Sequence, residues 1–343
     1  MENIIENKRI FLMCENFFNY DRLMRKVLLN LGAKEVYLHP VVWIHSTLRG
    51  KITWKTPIYF LLHPNERKRW TEKLIADIDN RRFDIFLCIQ ITPFSKFFMD
   101  WLRSRNPNIK CILFLWDTVD SVMKGYEDYF PLFDKIWTFD RDDSKKYGFE
   151  YQPDFYISDD TVEYLRCRYD LNFIGNLSRN PQVYNRPRLL KYLMDFSSEN
   201  HLNSFLYLKY QAKPSIFYRY LKITTNYEKI CRKYKKYSFM KTESLPLNQV
   251  ELLQQDARII VDLSHENRQG MTINAITALA KGKKLITTNK RIKEENFYNP
   301  KNIYILDSAN PYININFLLS DPVPIDMSYL RIDNWLKTII KFD

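Results

Sequence analysis

The sequence is poor in cysteine and has no metal-ligand pattern. Its five cysteines, Cys14, Cys88, Cys111, Cys167 and Cys231, stand far apart and form neither a CxxC pair nor the spacing of a metal site. Their odd number does not suit a complete disulfide framework either. We therefore expect a protein of the reducing cytoplasm.

Long apolar runs are also missing. No stretch approaches the roughly 18 apolar residues needed to cross a bilayer. The first apolar run follows acidic residues and spans only about six residues, which is too short for the core of a signal peptide. We expect any membrane contact to be peripheral, at the inner face of the cytoplasmic membrane.

The composition that is present belongs to a globular protein with an anionic partner. Of 343 residues, 45% are hydrophobic and 27% charged, and the formal charge is +12. The length predicts two domains. The charge suits a nucleotide diphosphate, a nucleic acid or an acidic membrane. No nucleic-acid motif appears and the basic residues are dispersed, so a nucleic-acid-binding protein is the competing class and we expect no nucleic-acid partner.

Short apolar runs alternate with amphipathic helical patterns, which is typical of parallel α/β domains. Two such series predict two doubly wound, Rossmann-like domains facing each other across a cleft. We place the first domain at residues 1–155, the second at 156–326 and a C-terminal helix at 327–343 that packs back on the first domain. In the second series, the strand that begins at 171 is expected to end in a turn at Gly175.

The most informative segment is 261–290. A strand is followed by a polar loop, and Gly270 allows a tight turn into a helix whose first amides, near Met271 and Thr272, have no partner inside the helix. Such a helix start binds phosphate, and Arg268 and the Thr272 hydroxyl would add to it. His265 lies in the same loop. The alternative is an ordinary βα turn, because one glycine is weaker than a glycine-rich phosphate motif.

This segment resembles the donor-site signature of bacterial surface-polysaccharide glycosyltransferases of the GT-B type, including the CgeB-like group. The matching residues are Gln269, Gly270, Thr272, Ala278, Leu279, Gly282, Lys283, Lys284, Leu285, Ile286, Thr287, Thr288 and Asn289. Further similar segments, such as FDIFLCIQ and YDLNFIGNLSRNPQVYNRPRLL, extend the resemblance over most of the chain. It implies transfer of a sugar from a nucleotide-diphosphate sugar to a glycan or lipid-linked acceptor in bacterial surface-polysaccharide (lipopolysaccharide or capsule) biosynthesis.

The resemblance also implies donor contacts. Arg179 or Arg188, near the Gly175 turn, would face the donor diphosphate. Two positions depart from the family pattern: Thr277 replaces an acidic residue and Asn274 replaces an arginine. A hydroxyl accepts a hydrogen bond less strongly than a carboxylate. Thr277 therefore leaves open a protein that binds a sugar nucleotide without turning it over.

Three acidic residues are candidates for the base that deprotonates the acceptor hydroxyl. Glu15 follows the first strand, and Asp117 and Asp120 follow the strand at 110–115. The alternatives are a solvated loop charge for Glu15 and a helix cap for Asp117. A retaining transferase would need no such base, and the sequence does not decide between inversion and retention.

We expect no metal cofactor. Asp140 and Asp142, like Asp77 and Asp79, match a D-x-D pattern that binds divalent cations in another transferase fold. We interpret the first pair as a helix N-cap with an acidic first turn and the second as the polar end of a helix. Two basic aromatic stretches, 49–70 and 207–237, suit either an anionic membrane surface or a solvated basic surface.

Overall fold

The computed structural model describes residues 4–16, 19–41, 66–90, 96–121, 126–157, 167–211, 225–264 and 270–342. The chain forms two compact units. Unit 1 comprises Met1–Asp154 and Ile332–Asp343, and unit 2 comprises Phe155–Arg331. In the described part of the chain, every helix falls short of the length and hydropathy that a membrane span requires.

Unit 1 contains a parallel sheet of six strands in the order β2-β1-β3-β4-β5-β6. Its central strands are continuous apolar runs because helices cover both faces of the sheet. The strands are β1 (Arg9–Glu15), β2 (Glu35–Val41), β3 (Ile85–Ile89), β4 (Lys110–Leu115), β5 (Lys135–Thr138) and β6 (Glu150–Tyr151). The helices are α1 (Tyr20–Asn30), α2 (Glu66–Ile78), α3 (Lys96–Arg105), α4 (Arg141–Tyr147) and α10 (Ile332–Ile340).

The C-terminal helix α10 is part of the unit 1 core. The indole Nε1 of Trp335 donates to the Pro153 carbonyl at 2.9 Å, and its ring packs edge-on against Phe114 with centroids 4.6 Å apart. The indole of Trp137 on β5 donates to the Ile339 carbonyl at 2.9 Å. Two buried indoles thereby each find the polar partner that a buried tryptophan needs.

Unit 2 repeats this architecture with the strand order β12-β11-β10-β7-β8-β9, again all parallel. The strands are β7 (Tyr169–Leu177), β8 (Ser204–Tyr210), β9 (Met240–Lys241), β10 (Ala257–Asp262), β11 (Lys284–Thr287) and β12 (Ile303–Ile305). The helices are α5 (Arg186–Glu199), α6 (Asn226–Tyr234), α7 (Leu247–Gln255), α8 (Ile273–Ala280) and α9 (Ile315–Leu319). The prediction of two doubly wound α/β domains is thus confirmed.

Gly175 does not end its strand as predicted. β7 continues to Leu177, and Gly175 pairs in register with Leu208 of β8. A Cβ atom at Gly175 would lie 2.7 Å from Cζ of Phe173, which is closer than two non-bonded carbon atoms approach each other. Glycine is therefore required by the buried Phe173 ring two residues earlier on the same face of the strand, and not by a turn.

The helix expected directly after Asp117 is also different. The structure has a single 3-10 turn, Val119–Ser121, and residues 122–125 lie outside the described part. The amide of Val119 donates to Oδ2 of Asp143 at 2.7 Å. A carboxylate of α4, and not Asp117, therefore satisfies the first amide of this turn.

Candidate functional site

The candidate donor site lies in unit 2, at the point where the order in which the chain adds parallel strands to the sheet changes from one side to the other. β7 and β10 are neighbours, but β7 is followed by β8 and β9 on one side, and β10 by β11 and β12 on the other. The loops that leave the carboxyl ends of β7 and β10 therefore diverge. A crevice at such a switch point is the usual ligand site of an open parallel sheet.

Arg186, the first residue of α5, joins the two strands that border this crevice. Its Nε donates to the Leu263 carbonyl at 2.8 Å, and its Nη1 donates to the Asn176 carbonyl at 2.6 Å. One guanidinium thus holds the carboxyl ends of β7 and β10 together. Arg186 is not among the residues predicted from the sequence, although the next residue, Pro187, is typical of a helix start.

Helix α8 begins beside the same crevice. Thr272 is its N-cap, and the Thr272 hydroxyl accepts a hydrogen bond from the Ala275 amide at 3.1 Å. This capping bond occupies a lone pair of the hydroxyl oxygen but leaves its proton for donation. Because α8 lies between the parallel strands β10 and β11, its amino end, where the helix dipole is positive, lies at the carboxyl edge of the sheet, a place that suits an anion.

Two buried polar residues hold the loop in front of α8. The Asn289 side chain, 3% exposed, donates to the Gly270 carbonyl at 3.1 Å. The Thr288 hydroxyl donates to the Ser264 carbonyl at 3.2 Å, and the Thr288 amide donates to the Asp262 carbonyl at 3.2 Å. The segment after β11 therefore fixes both ends of the loop that follows β10.

The predicted donor residues have different positions. His265, Arg268 and Gln269 lie outside the described residues. Gly270 and Met271 are buried, and the Met271 side chain belongs to the hydrophobic core. Neither residue therefore offers a side chain to a ligand at this edge.

Thr277 lies half-buried in the second turn of α8, and Asn274 is exposed in the first turn. Both of the positions that depart from the family pattern therefore have side chains that reach solvent. Their contacts with a donor remain a prediction.

Arg179 already has a partner. Its Nη1 lies 2.7 Å from Oε1 of Glu228 on α6, and its guanidinium stacks 4.5 Å from the Tyr227 ring centroid. Burial raises the pKa of Glu228, but the hydrogen bond from Arg179 and the main-chain bonds outweigh it and the pKa is lowered. A diphosphate would have to compete with this carboxylate for Arg179.

Arg188, the other basic residue named from the sequence, points to the end of β12. It donates to the carbonyls of Ser308 and Ala309, the latter at 3.2 Å. Both residues follow the carboxyl end of β12, at the same edge of the sheet as the switch point. Arg188 thus adds positive charge to that edge.

Comparison with known proteins shows the fold. No family model and no curated protein matches the chain. The UDP-forming α,α-trehalose-phosphate synthase of Burkholderia vietnamiensis aligns with TM-score 0.56 and 10% identity, over 97% of this chain and 93% of that chain. The Candida albicans trehalose-6-phosphate phosphatase N-terminal domain aligns with TM-score 0.56 and 13% identity, over 98% and 90%. The Burkholderia xenovorans synthase gives 0.55 and 10%, over 97% and 95%.

These likenesses assign the chain to the GT-B-like fold. Since the sequence identities are at or below 13%, these similarities show the fold only, and the roles of individual site residues depend on the geometry described above.

The three candidate bases lie at the carboxyl edge of the unit 1 sheet. Glu15 is the last residue of β1, beside β3, and is half-buried. Asp117 follows β4 by two residues and is exposed. The Asp120 side chain is 87% exposed, with Oδ1 3.8 Å from the Lys146 ammonium. In unit 1 the strand order changes sense between β1 and β3, which makes this the switch point of its sheet. Of the three candidates, Glu15 lies there.

The D-x-D pair at Asp140 and Asp142 is a helix start, as predicted. Asp140 is the N-cap of α4, and its carboxylate accepts from the amides of Asp142 and Asp143, both at 2.9 Å. Asp79 of the other pair lies 3.3 Å from Arg105. Among the described residues, no group of three His, Cys, Asp or Glu side chains is placed to hold a metal ion.

Proposed function

We propose that the protein is a glycosyltransferase that binds a nucleotide-diphosphate sugar at the switch point of unit 2. The observation that carries this proposal is the topological switch point between β7 and β10, where Arg186 bonds to the carboxyl ends of both strands and α8 follows β10. The structural neighbours support it, since two of them are described as UDP-forming trehalose-phosphate synthases.

In this proposal the donor diphosphate lies in front of α8. The helix dipole, the Thr272 hydroxyl and the main-chain amides at the helix start stabilise the negative charge that develops as the sugar leaves. Arg186 and Arg188 supply positive charge at the same edge. These groups would neutralise the leaving diphosphate, as a divalent cation does in other transferases, so we expect no metal requirement.

We propose Glu15 as the first candidate for the acceptor base, with Asp117 and Asp120 as alternatives. Glu15 is partly shielded from water and lies at the unit 1 switch point, whereas the Asp120 side chain is 87% exposed and lies near Lys146. A carboxylate at this edge is of the type that abstracts a proton from a hydroxyl.

The finer assignment rests on the sequence resemblance. We propose that the acceptor is a glycan or a lipid-linked glycan of a bacterial surface polysaccharide, and that the protein works in the cytoplasm at the inner membrane face. The basic aromatic stretch 49–70, offered as a membrane contact, falls mostly on residues outside the described part.

A nucleotide screen tests the donor site. UDP, GDP, CMP and dTDP are each added in a thermal-shift assay, and one of them should raise the melting temperature, because a ligand that binds only the folded state stabilises it. No response to any nucleotide, together with tight salt-dependent binding to RNA or DNA, would contradict the proposal and favour the nucleic-acid alternative.

Variants then locate the site. Asn289→Ala removes the hydrogen bond to the Gly270 carbonyl, and we expect about tenfold weaker binding of the responding nucleotide. Asn302→Ala is a matched control, because Asn302 is equally buried but bonds to Val323, beyond the amino end of β12. Equal effects of the two variants on affinity would place the nucleotide elsewhere.

Turnover separates an enzyme from a binding protein without activity. Slow hydrolysis of the matching nucleotide sugar, measured as released nucleotide, indicates a transferase, while binding without hydrolysis or transfer favours the inactive alternative raised by Thr277. Glu15→Gln should lower kcat and leave nucleotide binding unchanged. If Glu15→Gln, Asp117→Asn and Asp120→Asn all retain activity, none of them is the base.

A further inference from the structure

A cationic groove runs along the open edge of the unit 1 sheet. It is a cavity of about 630 Å³ lined by Arg22, Arg25, Leu29, Lys34, Tyr37 and Arg81, among others. These residues come from α1, from β2 and the residue before it, and from the loop before β3. We call this cavity the edge groove, because β2 is the edge strand of its sheet.

The charge of the edge groove is not compensated. Arg22, Arg25 and Lys34 are exposed, and in the described part of the chain none of the three side chains forms an ion pair. Glu35, the acidic residue among its lining residues, is bound by Arg81. Three positive charges thus border one concave surface without a carboxylate to balance them.

An adjoining hollow extends this charge. It has a volume of about 560 Å³, shares Lys34, Glu35 and Arg81 with the edge groove, and adds Arg9 and Arg82. Asp77 also lines it. Arg9 is paired with Asp84 at 2.9 Å, whereas, among the described residues, Arg82 bonds only to the main-chain carbonyls of Asp79 and Arg81, so Arg82 adds a further positive charge beside the edge groove.

The shape and chemistry fit a phosphate-bearing ligand. The volume lies in the range of small-molecule sites, and guanidinium groups bind phosphate in a bidentate manner. Tyr37 is stacked under Arg81, whose guanidinium carbon lies 4.7 Å from the ring centroid. Leu29 is 38% exposed. The groove therefore offers apolar surface beside its cations, for the part of the ligand that carries the phosphate.

An acidic peptide added as an extra strand fits less well. Such a peptide would bind through the free carbonyls and amides on the outer edge of β2. Arg25 Nε already donates to the Val36 carbonyl at 3.1 Å. A charged side chain over an edge strand is a common means of blocking strand addition.

We propose that the edge groove binds the phosphate or diphosphate group of an anionic ligand, through Arg22, Arg25 and Lys34. The ligand is either a lipid with a phosphate head group or a soluble phosphate compound, since both present the same group. This site lies in unit 1 and does not depend on the donor site proposed in unit 2.

The test compares two full-length variants with equal charge change. The groove variant is Arg22→Gln/Arg25→Gln/Lys34→Gln, and the control is Lys96→Gln/Lys145→Gln/Lys235→Gln, at exposed positions away from the groove. One arm measures binding to phosphatidylglycerol vesicles, with phosphatidylcholine vesicles as reference. The other arm measures binding of inorganic pyrophosphate by calorimetry. A third probe, polyglutamate, represents the peptide alternative.

We expect the affinity of the groove variant for one of the two phosphate probes to fall about a hundredfold, because each basic residue near a phosphate surface contributes about fivefold. The control variant should lose much less affinity. A loss confined to vesicles identifies a lipid head group, and a loss confined to pyrophosphate identifies a soluble compound. Equal losses in both variants, or a loss confined to polyglutamate, would overturn the proposal.

A local readout on the wild-type chain guards against misfolding of the variant and against pyrophosphate bound at the donor site. Lys34 is acylated with a water-soluble ester and quantified by mass spectrometry, with Lys145 as the internal reference. The bound phosphate probe should slow modification of Lys34 severalfold and leave Lys145 unchanged. Lys34 modification that is insensitive to both phosphate probes contradicts the proposal, even if the protein binds them elsewhere.

Discussion

Lys284 is a fully buried lysine whose charge should make the stability of unit 2 depend on pH. Its side chain is 0% exposed, and its ammonium donates to the carbonyls of Phe317 and Ser320 and, at 2.7 Å, to the Ser320 hydroxyl. Burial, with a smaller contribution from the nearby Arg258, lowers its pKa from 10.5 to about 8. A shift of this size corresponds to about 3 kcal/mol.

The sign follows from proton binding. The folded pKa lies below the unfolded pKa, so the unfolded chain binds more protons between the two values. The free energy of unfolding should therefore rise as the pH increases from about 8 to 10.5. Lys284→Met removes this contribution, and its unfolding free energy should rise by about 3 kcal/mol less than that of the wild type over the same range.

Urea unfolding followed by far-UV circular dichroism, at steps from pH 7.5 to 10.5, measures the difference. All seven tryptophans belong to the residue ranges of unit 1, so tryptophan fluorescence in the same samples follows unit 1 as an internal control. Lys301→Met, at an exposed position of unit 2, controls for the loss of charge. Parallel pH profiles for Lys284→Met and the wild type would refute the reasoning.

Three further predictions concern His39, Gly175 and Thr277. Burial lowers the pKa of His39 to about 4, so unit 1 should lose about 3 kcal/mol as the pH falls from 6.5 to 4, and His39→Gln should abolish this loss in tryptophan-monitored unfolding. Gly175→Ala should cost about 1–3 kcal/mol by circular dichroism, and Phe173→Leu should recover part of it, because the added Cβ meets the ring. Thr277→Glu should fold normally, because the new carboxylate lies one turn before Lys281. It restores the acidic residue of the family pattern, so it should bind the nucleotide sugar more tightly than Thr277→Gln. Weaker binding would place Thr277 against the diphosphate.

Most of the fold was predictable because the central strands are apolar runs, and such runs are stable in the interior of a sheet covered on both faces. The sequence KCILFL has the same limits in the prediction and in the structure, at Lys110–Leu115. A run of such residues is stable only when both faces of a sheet are covered. The prediction failed at Gly175, where the glycine serves a neighbouring ring and the backbone remains extended.

Helix α6 shows a local signal that the sequence analysis did not use. The stretch 207–237 is expected to be either a membrane-contacting or a solvated basic surface, yet α6 within it buries Tyr227, Cys231 and Tyr234 at helical spacing. A capping box of Thr225 and Glu228 marks its start. The same Glu228 binds Arg179, so this missed helix also explains why the predicted diphosphate contact has a partner. That pairing joins residues 49 positions apart and has no local pattern.

The matching run Gly282–Asn289 has two different roles in the structure. At the amino end of β11, Lys283 and Lys284 are buried, and their ammonium groups bind main-chain carbonyls. At the carboxyl end, Thr288 and Asn289 hold the loop that precedes α8. The run is thus explained by the packing of one strand and its loop. It supports the fold and the placement of the loop before α8, while the proposed dependence of donor identity on Asn274 and Thr277, which depart from the family pattern, stays a prediction.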